Sequence, residues 1–170
     1  KKGAKMKKLL LGTIAFTCAA MLFAEPLHEW TLNSAGLSWT EKKLEFSRKG
    51  DCAEFKLLES GEKAWSAVIR FTAPQTIRKG ERYRCSFSAA ASDNAEILVI
   101  AAMKGVSPWT VLGSKNTRKN VTLTTEFQTF SFEFTADFDY TGTVFAPNLN
   151  IGALPEGTTV KVRNAVFEKL

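Results

Sequence analysis

The chain reads as all-β, a two-sheet antiparallel β-sandwich, on three observations. Short runs alternate apolar and polar residues with a period of two. Turn residues punctuate them, and from Glu25 onward no long segment keeps the period of an amphipathic helix. Strands with no helices to cover them must bury one face of each sheet against the other, which predicts a sandwich rather than an α/β fold.

The elements follow in order. His28–Asn33, Leu37–Thr40, Lys43–Arg48 and Cys52–Leu58 are short β-rich runs, and Ser60-Gly61 turns the chain into Trp65–Thr72. After Lys79-Gly80 comes Arg82–Ala91, where Tyr83, Cys85, Phe87 and Ala89 alternate with Arg82, Arg84, Ser86 and Ser88. Ile97–Met103 and Asn120–Thr124 flank Lys104–Lys119, the longest stretch of weak strand character. Gln128–Thr135 is the clearest strand, because Phe130, Phe132 and Phe134 take one face and Thr129, Ser131 and Glu133 the other. Thr143–Ile151 follows Thr141-Gly142, and Thr159–Glu168 follows Pro155-Glu156-Gly157. Most of the 13 Phe residues belong to the core of such a sandwich.

Residues 1–24 read as a secretory signal peptide of bacterial type. Lys1, Lys2, Lys5, Lys7 and Lys8 make a positive flank, and the uncharged run Leu9–Ala24 is short for a membrane span, which needs about 20 apolar residues. Lipidation at Cys18 and an uncleaved anchor are the alternatives. Residues 25–170 then form one domain, secreted or held in the periplasm or envelope, with no membrane span in the mature chain. Five of the 23 basic residues lie in the leader and all 17 acids beyond it. The remaining 18 basic residues exceed the acids by one, so the basic balance that would suggest nucleic acid belongs to the leader. Export permits disulfides. Cys85 shares the inward parity of Tyr83 and Phe87 whereas Cys52 alternates against Phe55 and Leu57, which leaves open a bridge, if Cys52 enters its strand late, or two separate thiols.

Catalytic chemistry finds little to work with. His28 is the one histidine, there is no Gly-x-Ser-x-Gly elbow, no close set of zinc ligands and no glycine-rich phosphate loop. The acidic pairs Asp137/Asp139, Glu54/Glu59 and Glu41/Glu45 sit at turns or on outward faces, where solvated carboxylates are the rule. Four tryptophans offer aromatic surface instead, above all Trp109 in the loop-like Ser107-Pro108-Trp109-Thr110.

Trp65-Ser66-Ala67-Val68, the run Gly80-Glu81-Arg82-Tyr83-Arg84-Cys85-Ser86-Phe87-Ser88-Ala89, Pro108-Trp109-Thr110, Leu149-Asn150-Ile151-Gly152 and the closing Val160-x-Val162-Arg163-Asn164-Ala165-Val166 occur together in this order. The series resembles carbohydrate-binding modules of families 4, 9 and 22, typified by W-x-x-Q and G-x-x-Y-x-x-S-F-x-A, over Gly36 to the C-terminus. The resemblance implies a galactose-binding-like jelly roll whose concave sheet carries a cleft for a polysaccharide or oligosaccharide. It implies non-catalytic binding, with Trp65 and Trp109 as stacking platforms. Strand parity adds Arg70, Arg84, Lys104, Asn148 and Asn150 as polar candidates, if Phe145, Pro147, Leu149 and Ile151 point inward. Trp65 itself has the parity of the buried Ala67, Ile69 and Phe71, so it serves only at a cleft end. Val68 and Lys104 replace hydrogen-bonding residues common in these modules, which favours the alternative of an envelope interaction or structural sandwich that has lost the sugar. The structural calcium of such modules uses an Asp in the last strand. Arg163-Asn164 stands there, so no cofactor is expected.

Overall fold

The computed structural model describes Thr31–Leu32 and residues 43–170. The leader, His28 and the expected strand Leu37–Thr40 lie outside the described residues. The described chain is β throughout apart from one 3₁₀ turn, Ala64–Ser66. Its strands are β1 (Thr31–Leu32), β2 (Leu44–Lys49), β3 (Cys52–Leu57), β4 (Val68–Ile77), β5 (Arg82–Ala91), β6 (Ala95–Ile100), β7 (Met103–Lys104), β8 (Arg118–Leu123), β9 (Gln128–Thr135), β10 (Tyr140–Asn150) and β11 (Thr159–Lys169). No helix among the described residues is long and apolar enough to cross a membrane.

Two antiparallel sheets face one another. One runs β1-β4-β10-β6-β8, with β7 also pairing β10; the other runs β2-β3-β11-β5-β9. The first is called the groove sheet below and the second the back sheet. Alternation decides what fills the space between them. Phe55, Tyr83, Cys85, Phe87, Phe132, Phe134, Val160, Val162 and Phe167 come from the back sheet, and Ile69, Phe71, Ile97, Val99, Val144, Leu149 and Ile151 from the groove sheet; all are buried. The rings pack face on: Tyr83 lies 5.7 Å from Phe167 at 6°, and Phe87 lies 6.2 Å from Phe132 at 8°. Such ring pairs add directional attraction to the area they bury. Tyr83 keeps its hydroxyl satisfied, accepting from the Arg78 amide at 2.9 Å and donating to Glu81 at 3.0 Å.

β4 begins three residues later than the sequence suggests and runs five residues further, past Pro74. Proline normally ends a ladder. Here β1 pairs only with Phe71 and Thr72, so Pro74 has β10 on one side and no described strand on the other.

Cys52 and Cys85 are separate thiols. β11 lies between their strands, which sets them two strand spacings apart, about 10 Å, beyond disulfide reach. Cys85 is fully buried and desolvation pushes its thiol far above the ordinary range, whereas Cys52 is partly exposed. Iodoacetamide is therefore expected to label Cys52 in the native protein and Cys85 only after unfolding, read by mass spectrometry of the peptides. Equal labelling of both would show that the core opens locally.

Candidate functional site

The site is built where β10 changes parity. Phe145 pairs with Thr72, but the next paired residue, Asn148, faces Arg70: three steps along β10 meet two along β4, a β-bulge at Ala146-Pro147. Before the bulge Val144 points into the core and Phe145 out of it; beyond it Leu149 and Ile151 point in, and Asn148 and Asn150 out. The expectation that Phe145 faces inward is thus corrected. Phe145 joins Ile100 and Met103 in a second apolar cluster on the outer face of the groove sheet.

The result is an open groove of about 430 Å³ across that face. Val68, Leu98, Ile100 and Met103 give it an apolar floor, and Arg70, Arg118, Asn148 and Asn150 give it polar groups. Trp65 and Trp109 line its two ends and are 60% and 51% exposed. The strands fix this spacing. Trp109 stacks on Phe145, opposite Thr72, while Trp65 stands three residues before Val68, opposite Asn150. At about 3.3 Å per residue the rings are separated by on the order of 10–15 Å.

Neither tryptophan is in a strand. Trp65 lies in the 3₁₀ turn, so strand parity does not bind it. The turn is docked on the end of β10: the Gly152 amide donates to Ala64 O at 2.7 Å, the Gly61 amide to Gly152 O at 2.7 Å and the Ile151 amide to Ala67 O at 2.9 Å. A side chain at 152 would lie 2.3 Å from the Ala67 nitrogen, so only glycine allows this contact. Trp109 is carried by a tight loop, closed by the Lys104 amide donating to Thr110 O at 2.9 Å and the Gly105 amide donating to Thr143 O at 2.7 Å.

The polar groups are held by the same framework. Arg70 lays its guanidinium 4.8 Å from the Phe145 ring centroid and 5.3 Å from that of Trp109. Its Nε is buried with no hydrogen-bond partner, as is Oδ1 of Asn148, its neighbour across the strand pair. Burial disfavours the charged form of Arg70 and lowers its pKa. Asn148 Nδ2 donates to the Met103 sulfur at 2.8 Å, and Asn150 Nδ2 to Leu98 O at 3.2 Å.

Of the residues picked from sequence, Trp65, Trp109, Arg70, Asn148 and Asn150 converge on this groove, and Arg84 and Lys104 stand elsewhere. Arg84 is on the back sheet, bonded to Glu168 at 2.5 Å with Glu133 alongside at 3.7 Å. Lys104 sits beside Met103 with its ammonium 4.6 Å from the Phe138 ring and 5.2 Å from Tyr140, away from the groove. Arg118, Leu98, Ile100 and Met103 line the groove and Phe145 packs with them, although no motif or parity in the sequence marks them as site residues. Of the acidic pairs, Glu54 engages Lys49 and Lys161, Glu59 engages Lys43 and Asp139 accepts from the Lys79 amide, all outside the groove, while Glu41 lies outside the described residues. Arg163 lies 4.0 Å from the Phe127 ring centroid, and among the described residues no three His, Cys, Asp or Glu side chains cluster as metal ligands. Other hollows, of about 500 Å³ beside Ser114–Asn116 and about 390 Å³ between Ser92–Ala95 and Pro155–Thr158, have no tryptophan in their walls.

No protein-family model and no curated protein sequence matches the chain. Solved structures do. A family 4 carbohydrate-binding module matches with a TM-score of 0.62 and 23% identity, over 86% of this chain and 90% of that one. The two N-terminal cellulose-binding domains of β-1,4-glucanase C from Cellulomonas fimi both match with TM-scores of 0.55. The first is 12% identical over 74% of this chain and 82% of its own, and the second 18% identical over 86% and 89%. At these identities the likeness is one of architecture: the chain has the two-sheet β-sandwich fold of carbohydrate-binding modules of the family 4 type.

Proposed function

We propose that the domain binds a glycan chain in this groove without cleaving it. The observation that carries the reading is the pair of exposed indoles at the two ends of one trough, with an apolar floor and polar side chains between them. An apolar surface with a few directed polar groups is the general form of a small-ligand site. A pyranose presents a C–H face that stacks on an indole, and hydroxyls around its rim that Asn148, Asn150 and the arginines are placed to meet. A groove with a stacking platform at each end suits a glycan segment laid along it. Among the described residues its lining includes no carboxylate to act as acid, base or nucleophile in glycosidic cleavage. The fold shared with carbohydrate-binding modules supports the same reading. In the cell the domain acts after export, once the leader at residues 1–24 is removed.

Native affinity electrophoresis through gels holding β-glucans, xylans, mannans and acidic polysaccharides tests this. Retardation in at least one gel, relieved by the matching oligosaccharide, is the expected result. Unchanged mobility in all of them would sink it and return the envelope-interaction reading.

A further inference from the structure

Among the described residues the groove has cations and no anions. Arg70 and Arg118 line it, and none of its ten lining residues is acidic. Among the described residues neither arginine forms an ion pair, although the ion pairs present engage Arg82, Arg84, Lys43, Lys49, Lys161 and Lys169 elsewhere. The nearest acid along β6 is Glu96, two residues before Leu98, and it accepts from Asn120 at 3.0 Å.

Arg70 is the more telling of the two. It is partly buried between the sheet and two rings, its Nε has no hydrogen-bond partner, and a guanidinium cannot shed its charge to escape the desolvation. Ring faces compensate only part of that cost, since cation–π attraction is weaker than a charge-assisted hydrogen bond. A half-buried arginine in a water-filled trough, lacking an internal counter-ion, is best satisfied by an anion brought by the ligand. Arg118 starts β8 opposite Ile100, on the exposed side of the same trough, and supplies a second positive group.

We infer that the glycan is acidic, carrying carboxylate or sulfate groups that pair with Arg70 and Arg118 while its ring faces stack on Trp65 and Trp109. This rests on the glycan-binding reading and narrows it to one substrate class. The two anion sources share the same recognition, a planar N–H donor set facing two or more oxygens.

Isothermal titration of the whole domain against polygalacturonate and alginate fragments, sulfated carrageenan fragments, and neutral xylan and β-glucan fragments of matched length separates the cases. At about 20 mM salt the better acidic series is expected to bind at least about tenfold tighter than either neutral one, and to lose most of that margin by about 500 mM. Whichever acidic series wins identifies the anion. R118Q, an exposed change, is expected to cut the acidic-to-neutral ratio several-fold. Neutral fragments that bind as tightly, with a ratio insensitive to salt and to R118Q, would overturn the acidic inference and leave glycan binding standing. No heat with any fragment would overturn both.

Discussion

Trp109→Ala is expected to weaken glycan binding by about 1–3 kcal/mol, roughly five- to 150-fold in affinity, with the thermal midpoint shifted much less. The asymmetry follows from where the ring sits. Trp109 is half-exposed on a loop and covers Phe145 and the Arg70 guanidinium on the outer face of the sheet, so its loss opens no cavity in the main core. In the complex it supplies a flat platform already oriented by its stack on Phe145, and a preorganised aromatic costs little to order on binding. Trp109→Phe should recover part of the loss, as the smaller ring still reaches the same stack. Titration calorimetry with the best oligosaccharide, alongside a melting curve, reads both quantities. A variant that melts lower yet binds unchanged would show that the indole only shields Phe145.

Gly152→Ala is expected to damage stability and binding together. The added methyl would meet the Ala67 nitrogen at 2.3 Å and the Ser66 backbone at 2.8 Å, distances that no rotamer relieves. Either β10 or the 3₁₀ turn must yield. Overpacking of this kind costs about 1–3 kcal/mol, and it breaks the docking bonds from Gly152 to Ala64 and from Gly61 to Gly152. Trp65 sits inside the displaced turn, so glycan affinity should fall as well, although residue 152 itself lines no part of the groove. Urea unfolding and calorimetric titration of the same sample give the two numbers. Full affinity despite lost stability would mean that Trp65 contributes nothing as a platform.

The strand pattern was legible wherever a strand had one wet face and one dry one. β5 and β9 run as the alternation of Tyr83-Cys85-Phe87 and Phe130-Phe132-Phe134 demands, because period two is a local property. The site was legible only in part, and each gap has a long-range cause. Trp65 reads as a strand residue because nothing local reveals that Gly152, almost ninety positions on, pulls its turn out of the sheet. Arg84 shows that parity tells which side of a sheet a residue faces but not which sheet it is in, and Lys104 that the alternation does not carry across Ala101-Ala102, beyond which Met103 pairs Phe145 on the groove face and Lys104 pairs the core-facing Val144. Arg118 opens a strand two residues earlier than the apolar pattern does, so it read as loop. An unbroken alternation from Phe145 to Ile151 requires Phe145 to face inward, and the bulge breaks that alternation by one residue.

That one unpaired step has a consequence for how such a surface arises and is lost. Point substitutions around Phe145 alter the trough by degrees, a methylene or a charge at a time. Deleting a single codon at Ala146 or Pro147 only removes the bulge, because Phe145 stays opposite Thr72 and Asn148 opposite Arg70, whereas losing Leu149 puts Asn150 in its inward place and turns Ile151 out. The binding surface on this scaffold therefore tolerates a change of length at Ala146-Pro147 and not in the paired segment beyond it, and families of such domains should vary in length at that step while keeping Phe145, Asn148 and Asn150 on one face.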